Sequence, residues 1–162
     1  MLYVTVEASI LRRPEIVWEV LTDVPGLTAW VEGLTEAEIV SEEKRGVGMQ
    51  VRVTRRTGKK KVHISEATCE VTAWRENALI AVETRVPGLL LLDRVTLTPT
   101  KEGTDIGFYA ELFFGNSVAE LFARPAGMLG GSLEDPAVQG IYERSVEAFV
   151  KRVEALSAKP YR

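Results

Sequence analysis

The chain has 162 residues, 46% of them apolar, enough for one domain with a sizeable core or an enclosed space. Its 20 Lys and Arg against 23 Asp and Glu leave a net charge of -3, which excludes the strong positive field of a nucleic-acid binder and makes any basic contact local. The single cysteine, Cys69, excludes an internal disulfide and a cysteine zinc cluster.

The opening MLYVTVEASI has no basic leader segment and no long apolar run, so it reads as a strand and predicts a cytoplasmic protein without a membrane anchor. Leu2, Val4, Val6, Ala8 and Ile10 alternate with Tyr3, Thr5, Glu7 and Ser9, the period of a half-buried strand. Pro14 suits the first position of a helix whose Ile16, Val17, Val20 and Leu21 share one face. Val24-Pro25-Gly26 ends that helix and begins a second short turn, after which Trp30 stands in an expected loop. A tryptophan carries about 200 Å² of surface, so Trp30 is expected to anchor this second arm, with direct ligand contact as the alternative.

Further strands are predicted at about residues 36–42, 48–56, 61–73, 78–86, 92–99 and 105–114. Turn signals at Arg45-Gly46, Thr57-Gly58, Glu76-Asn77, Pro87-Gly88 and Glu102-Gly103 separate them, and connections this short imply antiparallel neighbours. Ser117 and Glu120 have capping-box spacing for a short helix over about 118–123, followed by the loop AGMLGGSLE. Asp135 then caps a long helix starting at Pro136, with Val138, Tyr142, Val146, Phe149, Val153 and Leu156 on one face. No internal repeat, low-complexity tract or linker divides the chain, so residues 1–162 are expected to form a single domain.

The stretch VEASILRRPEIVWEVLTDVPGLTAWVEGL, the GVG at a strand start and the closing ERSVEAFVKRVEAL resemble the START/Bet v 1-like (SRPBCC) superfamily, in its polyketide cyclase-like and coenzyme Q-binding-like branch. The resemblance spans essentially the whole chain. It implies an α+β helix-grip fold: a curved seven-stranded antiparallel sheet wrapped around the long C-terminal helix, two short helices after the first strand, and a ligand cavity between sheet and helix. Where the coenzyme Q-binding relatives carry an aromatic stretch ending in Pro-Trp-Cys, this chain has WVEGL, which points away from a quinone.

Ile106, Phe108, Ala110, Leu112 and Phe114 form one strand face, Ile80, Val82 and Val86 a second with Thr84 in phase, and Val95 and Leu97 a third. Such faces packed tightly on a helix make an ordinary core; the cavity is what the resemblance implies. Trp30, Val51, Val53, Cys69, Ile80, Val82, Leu97, Phe108, Ala110, Leu112 and Phe149 would then line it, and Thr84, Tyr142 and Ser145 would orient a mostly apolar ligand. His63, the sole histidine, joins this set in one of two registers. With a two-residue turn at Thr57-Gly58, Val53 pairs with Val62 and His63 faces solvent; with a loop from Arg56 to Lys60, Val53 pairs with His63, which then enters the cavity with Ser65.

Other chemistry is sparse. No H-E-x-x-H or G-x-S-x-G occurs, no metal set and no cofactor are expected, and GMLGG lacks the lysine and hydroxyl of a phosphate-binding loop. The basic run holding Arg55, Arg56, Lys59, Lys60 and Lys61 is read as a solvated hairpin tip or as a transient contact with an anionic membrane. LLLLD, Leu89 to Asp93, is read as a strand buried on both sides or as an apolar lip.

Three functions follow. The favoured one is binding or transport of a hydrophobic small molecule, lipid, polyketide or isoprenoid-like. The second is a cyclase/aromatase-like or dehydratase-like enzyme in which His63, Tyr142 or Arg94 moves protons. The third is a protein-interaction module whose cavity has collapsed onto Phe108, Phe114 and Phe149.

Overall fold

Alternation over the first ten residues produces β1 (Leu2–Ile10), with Val4 and Ile10 fully buried. The computed structural model describes residues 2–115 and 136–156. Arg13, held extended by the proline after it, leads into α1 (Pro14–Leu21), which buries Val17, Trp18, Val20 and Leu21. Thr22 ends the helix by donating both its N–H and its hydroxyl to the Trp18 carbonyl, at 2.9 and 2.8 Å. A five-residue 3-10 helix, Pro25–Ala29, follows. A Cβ on Gly26 would lie 2.4 Å from the Asp23 carboxylate, so a larger residue at this corner would have to turn that side chain aside.

The remaining strands are β2 (Leu34–Ile39), β3 (Gln50–Thr57), β4 (His63–Arg75), β5 (Leu79–Val86), β6 (Leu89–Pro99) and β7 (Thr104–Phe114). With β1 they form one seven-stranded antiparallel sheet in the order β1-β7-β6-β5-β4-β3-β2. It curves as a helix-grip sheet does. Two strands, β2 and β6, depart most from expectation. β2 starts earlier and ends at Ile39, because the chain turns away through Ser41, whose hydroxyl accepts the Gln50 N–H at 2.8 Å. β6 starts at Leu89, because Pro87-Gly88 closes a two-residue hairpin with Gly88 at φ +81° and Leu89–Leu91 pair directly with β5.

α2 (Pro136–Leu156) closes the molecule, turning Tyr142, Ser145, Val146, Phe149 and Val153 inward. Leu156, expected on that face, is 54% exposed in the last turn, beyond the packing surface. Near its start, Gln139 Nε2 donates to the Thr5 carbonyl on the edge strand β1 at 2.9 Å. The helix predicted over 118–123 and the AGMLGGSLE loop lie outside the described residues. One core group joins α1, the 3-10 arm, the sheet and α2; a second, around Val4, Ala110 and Leu112, packs against Val138 and Tyr142. No helix among the described residues is long and apolar enough to cross a membrane.

Candidate ligand-binding site

Strand register decides which side chains meet on the inner face. Cys69 on β4 lies beside Thr84 on β5, which lies beside Leu91 on β6; one step along, Val82 neighbours Asp93, which neighbours Ala110 on β7. Asp93 therefore points inward with Val95 and Leu97, two and four residues along the same strand. From above, Tyr142 on α2 donates its hydroxyl proton to Asp93 Oδ1 at 2.8 Å. Thr84 Oγ1 donates to Cys69 Sγ at 3.1 Å. Among the described residues nothing donates to Asp93 Oδ2.

This polar cluster sits in apolar surroundings, and its acidities show the strain. Burial pushes the Asp93 carboxyl up to about 6, although the Tyr142 hydrogen bond and the Arg55 charge both act to lower it. Burial also raises the Tyr142 hydroxyl, and the adjacent Asp93 carboxylate adds to the effect. Cys69 is raised by burial, against the hydrogen bond it accepts from Thr84. In each of the three, burial favours the neutral form.

One flank is tied down around Glu32, in the loop after the 3-10 helix. Its N–H donates to Ser145 Oγ at 2.9 Å, its carbonyl accepts from Arg55 Nη1 at 3.4 Å, and its carboxylate takes a two-point contact from Arg144 at 2.6 and 2.9 Å. The Arg144 hydrogen bond lowers the Glu32 pKa from the ordinary carboxylate value. Ser145, expected to orient a ligand, thus clamps the second arm to α2. Arg55, expected at the exposed tip, is half-buried on the inward phase of β3, because it shares a face with Val51 and Val53.

The other flank is aromatic. Trp30 packs on Phe149 at 4.7 Å between ring centroids and on Phe108 at 6.2 Å, and Phe108 meets Phe149 at 5.8 Å. Trp30 anchors the second arm to both helix and sheet, and its buried indole N–H has no acceptor among the described residues. Val51, Val53, Ile80, Val82 and Leu97 complete this wall, and Ala110 and Leu112 lie in the neighbouring group beside Tyr142. Phe114, expected with Phe108 and Phe149, is 47% exposed at the end of β7; Trp30 occupies the third place in the aromatic group.

His63 does not join the site. Thr57 pairs with His63 around a five-residue connection, Gly58 to Val62, so Val53 pairs with Ala67 and Val51 with Cys69. Neither expected register occurs, although the inward phase of the second is kept. The longer hairpin carries His63 out to the exposed tip. A Cβ on Gly58, at φ +91°, would lie 2.0 Å from the Lys61 carbonyl, which fixes that glycine inside the turn and lets pairing run on to Thr57. Arg94 is also misplaced for proton transfer: it is exposed on the outer face, with its guanidinium 5.0 Å from the Tyr109 ring centroid. The sequence reading missed Asp93, whose signal was its phase with Val95 and Leu97.

Among the described residues no group of three His, Cys, Asp or Glu is placed to hold a metal ion. An open groove of about 360 Å³ lies elsewhere, between Pro25 and Thr28 of the 3-10 helix and Thr35, Glu36, Arg52 and Thr54 of the sheet. Its walls are largely polar, unlike the apolar lining around Asp93.

Comparison with solved structures finds the same fold in a Thermus thermophilus protein, TTHA0849, at TM-score 0.67 and 18% identity over 96% of this chain and 99% of that one. A protein of unknown function from Staphylococcus aureus is similar at TM-score 0.67 and 16% identity, over 98% and 96% of the two chains. A conserved protein from Geobacillus kaustophilus matches at TM-score 0.67 and 19% identity, over 95% and 96%. At these identities the likeness is one of fold. No protein of curated function matches the sequence. The model of the family described as "Polyketide cyclase / dehydrase and lipid transport" matches residues 1–154, and with its helix-grip sheet and closing helix the chain belongs to that family.

Proposed function

We propose that the chain binds a hydrophobic small molecule, lipid, polyketide or isoprenoid-like, between the curved sheet and α2. The observation that carries this reading is the Asp93 carboxyl, set in an apolar wall with one oxygen bound by Tyr142 and the other without a donor among the described residues. Its half-buried place among apolar side chains disfavours the charged form, so the carboxyl adds little as a packing element. A ligand site uses a few polar groups in apolar walls for orientation. The family description, which includes lipid transport, supports the same reading. The lone thiol of Cys69 fits a reducing cytoplasm.

A second reading is catalytic, and Asp93 favours it as well. A carboxyl raised to about 6 can both take and return a proton near neutrality, as a cyclase-like or dehydratase-like reaction requires. The exposed Arg56, Lys59, Lys60 and Lys61 offer a carrier a transient contact with anionic lipid.

A thermal-shift screen of lipophilic compounds, followed by mass analysis of what is recovered, tests these readings. A ligand at about a hundred times its Kd should stabilise the fold by about 2.7 kcal/mol. Recovery of the compound unchanged supports the carrier, and recovery with altered mass supports the enzyme. A screen with no stabilising compound counts against both.

A further inference from the structure

We infer that Asp93 and Tyr142 form the selective end of the site and choose apolar molecules that present a neutral hydrogen-bond donor, an alcohol, phenol or enol, over molecules that end in a carboxylate. This deepens the binding reading above and rests on it. Asp93 Oδ1 is occupied by the Tyr142 hydroxyl, which fixes the carboxylate plane and leaves Oδ2 as an acceptor without a donor among the described residues. An ionised carboxylate accepts and cannot donate. A ligand hydroxyl at Oδ2 forms a charge-assisted hydrogen bond, whereas a ligand carboxylate there sets two like charges at contact distance in an apolar medium.

The neighbours do not reverse this preference. The titratable or charged groups that act on Asp93 are Arg55 from β3, Cys69 from β4 and Tyr142 from α2. Arg55 donates one bond, at 3.4 Å, to the Glu32 carbonyl and keeps its charge, which moderates the repulsion without supplying a hydrogen bond to Asp93, and Cys69 accepts from Thr84. The facing positions of β1 and β7 are Val4, Val6, Ile106, Phe108, Ala110 and Leu112, all apolar. Tyr142, whose proton is spent on Asp93, retains only lone pairs to offer, which also suits a donor ligand.

The preference is tied to proton occupancy. With Asp93 raised to about 6, the acceptor is ionised above that pH and becomes a donor below it. A bound alcohol or phenol favours the ionised form, so its affinity falls as pH drops through about 6, while the affinity of an ionised carboxylate ligand rises over the same interval.

The test is a titration of the intact chain with naphthalene, 2-naphthol and 2-naphthoate, at about pH 7.5 and about pH 5, which bracket the Asp93 transition. The expected order at the higher pH is 2-naphthol, then naphthalene at about tenfold weaker affinity, then 2-naphthoate. At the lower pH the gap between 2-naphthol and 2-naphthoate narrows. Asp93→Asn should erase the pH dependence and shrink the naphthol preference, because the amide no longer repels a carboxylate. Tyr142→Phe, which leaves the carboxylate in place but removes the hydrogen bond that lowers its pKa, should keep the naphthol preference and move the pH transition upward; thermal melts verify that each variant is folded. Equal affinity for all three probes, or an undiminished preference in Asp93→Asn, overturns the inference while naphthalene binding leaves the hydrophobic site standing. Failure of all three to bind overturns both.

Discussion

Tyr142 on the closing helix and Asp93 at the middle of the sheet are joined by a 2.8 Å hydrogen bond, so the residue pair that ties α2 to β6 is also the most polar point of an otherwise apolar interior. Packing and function meet at that bond. Its carboxyl lies above its ordinary range, and the sign of the resulting pH dependence is fixed. A group raised from 3.8 to about 6 contributes stability fully below 3.8, and that contribution is lost as pH rises through about 6.

Replacing Asp93 with Asn should therefore remove a stability loss between about pH 4 and pH 6.5. The full shift corresponds to at most about 3 kcal/mol. Urea unfolding of the two proteins across this interval should give curves that converge at low pH and separate at high pH, with the variant the more stable. Parallel curves would mean that Asp93 titrates normally.

The aromatic group of Trp30, Phe108 and Phe149 is in ring contact throughout, with Phe149 wholly buried. Phe149→Ala should destabilise by about 3–5 kcal/mol. Phe108→Trp should cost about 1–3 kcal/mol through overpacking between the two partners. Denaturant midpoints at constant slope measure both. A neutral Phe108→Trp would indicate free space beside the ring.

Ser145 accepts the Glu32 N–H and fastens the second arm to α2. Ser145→Ala should cost about 1 kcal/mol, the lower part of the usual range, because water reaches the freed amide at the exposed Glu32. The sharper readout is amide exchange: protection at Glu32 should fall while protection at Val153, deep in the helix, is kept.

Cys69 accepts a hydrogen bond from Thr84, and burial raises its thiol pKa. Its reaction with a disulfide reagent at about pH 8 should be at least about tenfold slower in the native chain than in urea, since the thiolate is the reacting species. Saturation with a lipophilic ligand should slow it further, because Cys69 lies one strand from Thr84 and two from β6 on the inner face. A rate indifferent to ligand would place the ligand elsewhere.

The fold was largely legible because period-two and period-3.6 patterns follow from burial on one face. β1, β5, β7 and the inward side of α2 stand where alternation and helical spacing put them. The apolar wall followed from the same patterns. His63 did not, since its position depends on where a hairpin loop begins, and Gly58 sets that through a close approach between turn residues. Asp93 was hidden by composition: at the end of four leucines it resembles a strand terminus, although its phase with Val95 and Leu97 marks it as inward. Ser145 shows a further limit, because a helical face identifies the direction of a hydroxyl and leaves its partner, the Glu32 amide, unspecified.

Native mass spectrometry of the freshly purified chain, with extraction and identification of whatever it retains, tests the central claim most directly. The account predicts a single apolar molecule per chain, bearing a neutral hydroxyl, released on denaturation and displaced by 2-naphthol. A chain that flies at its bare mass in repeated preparations, and binds no lipophilic compound saturably when one is added, would contradict it.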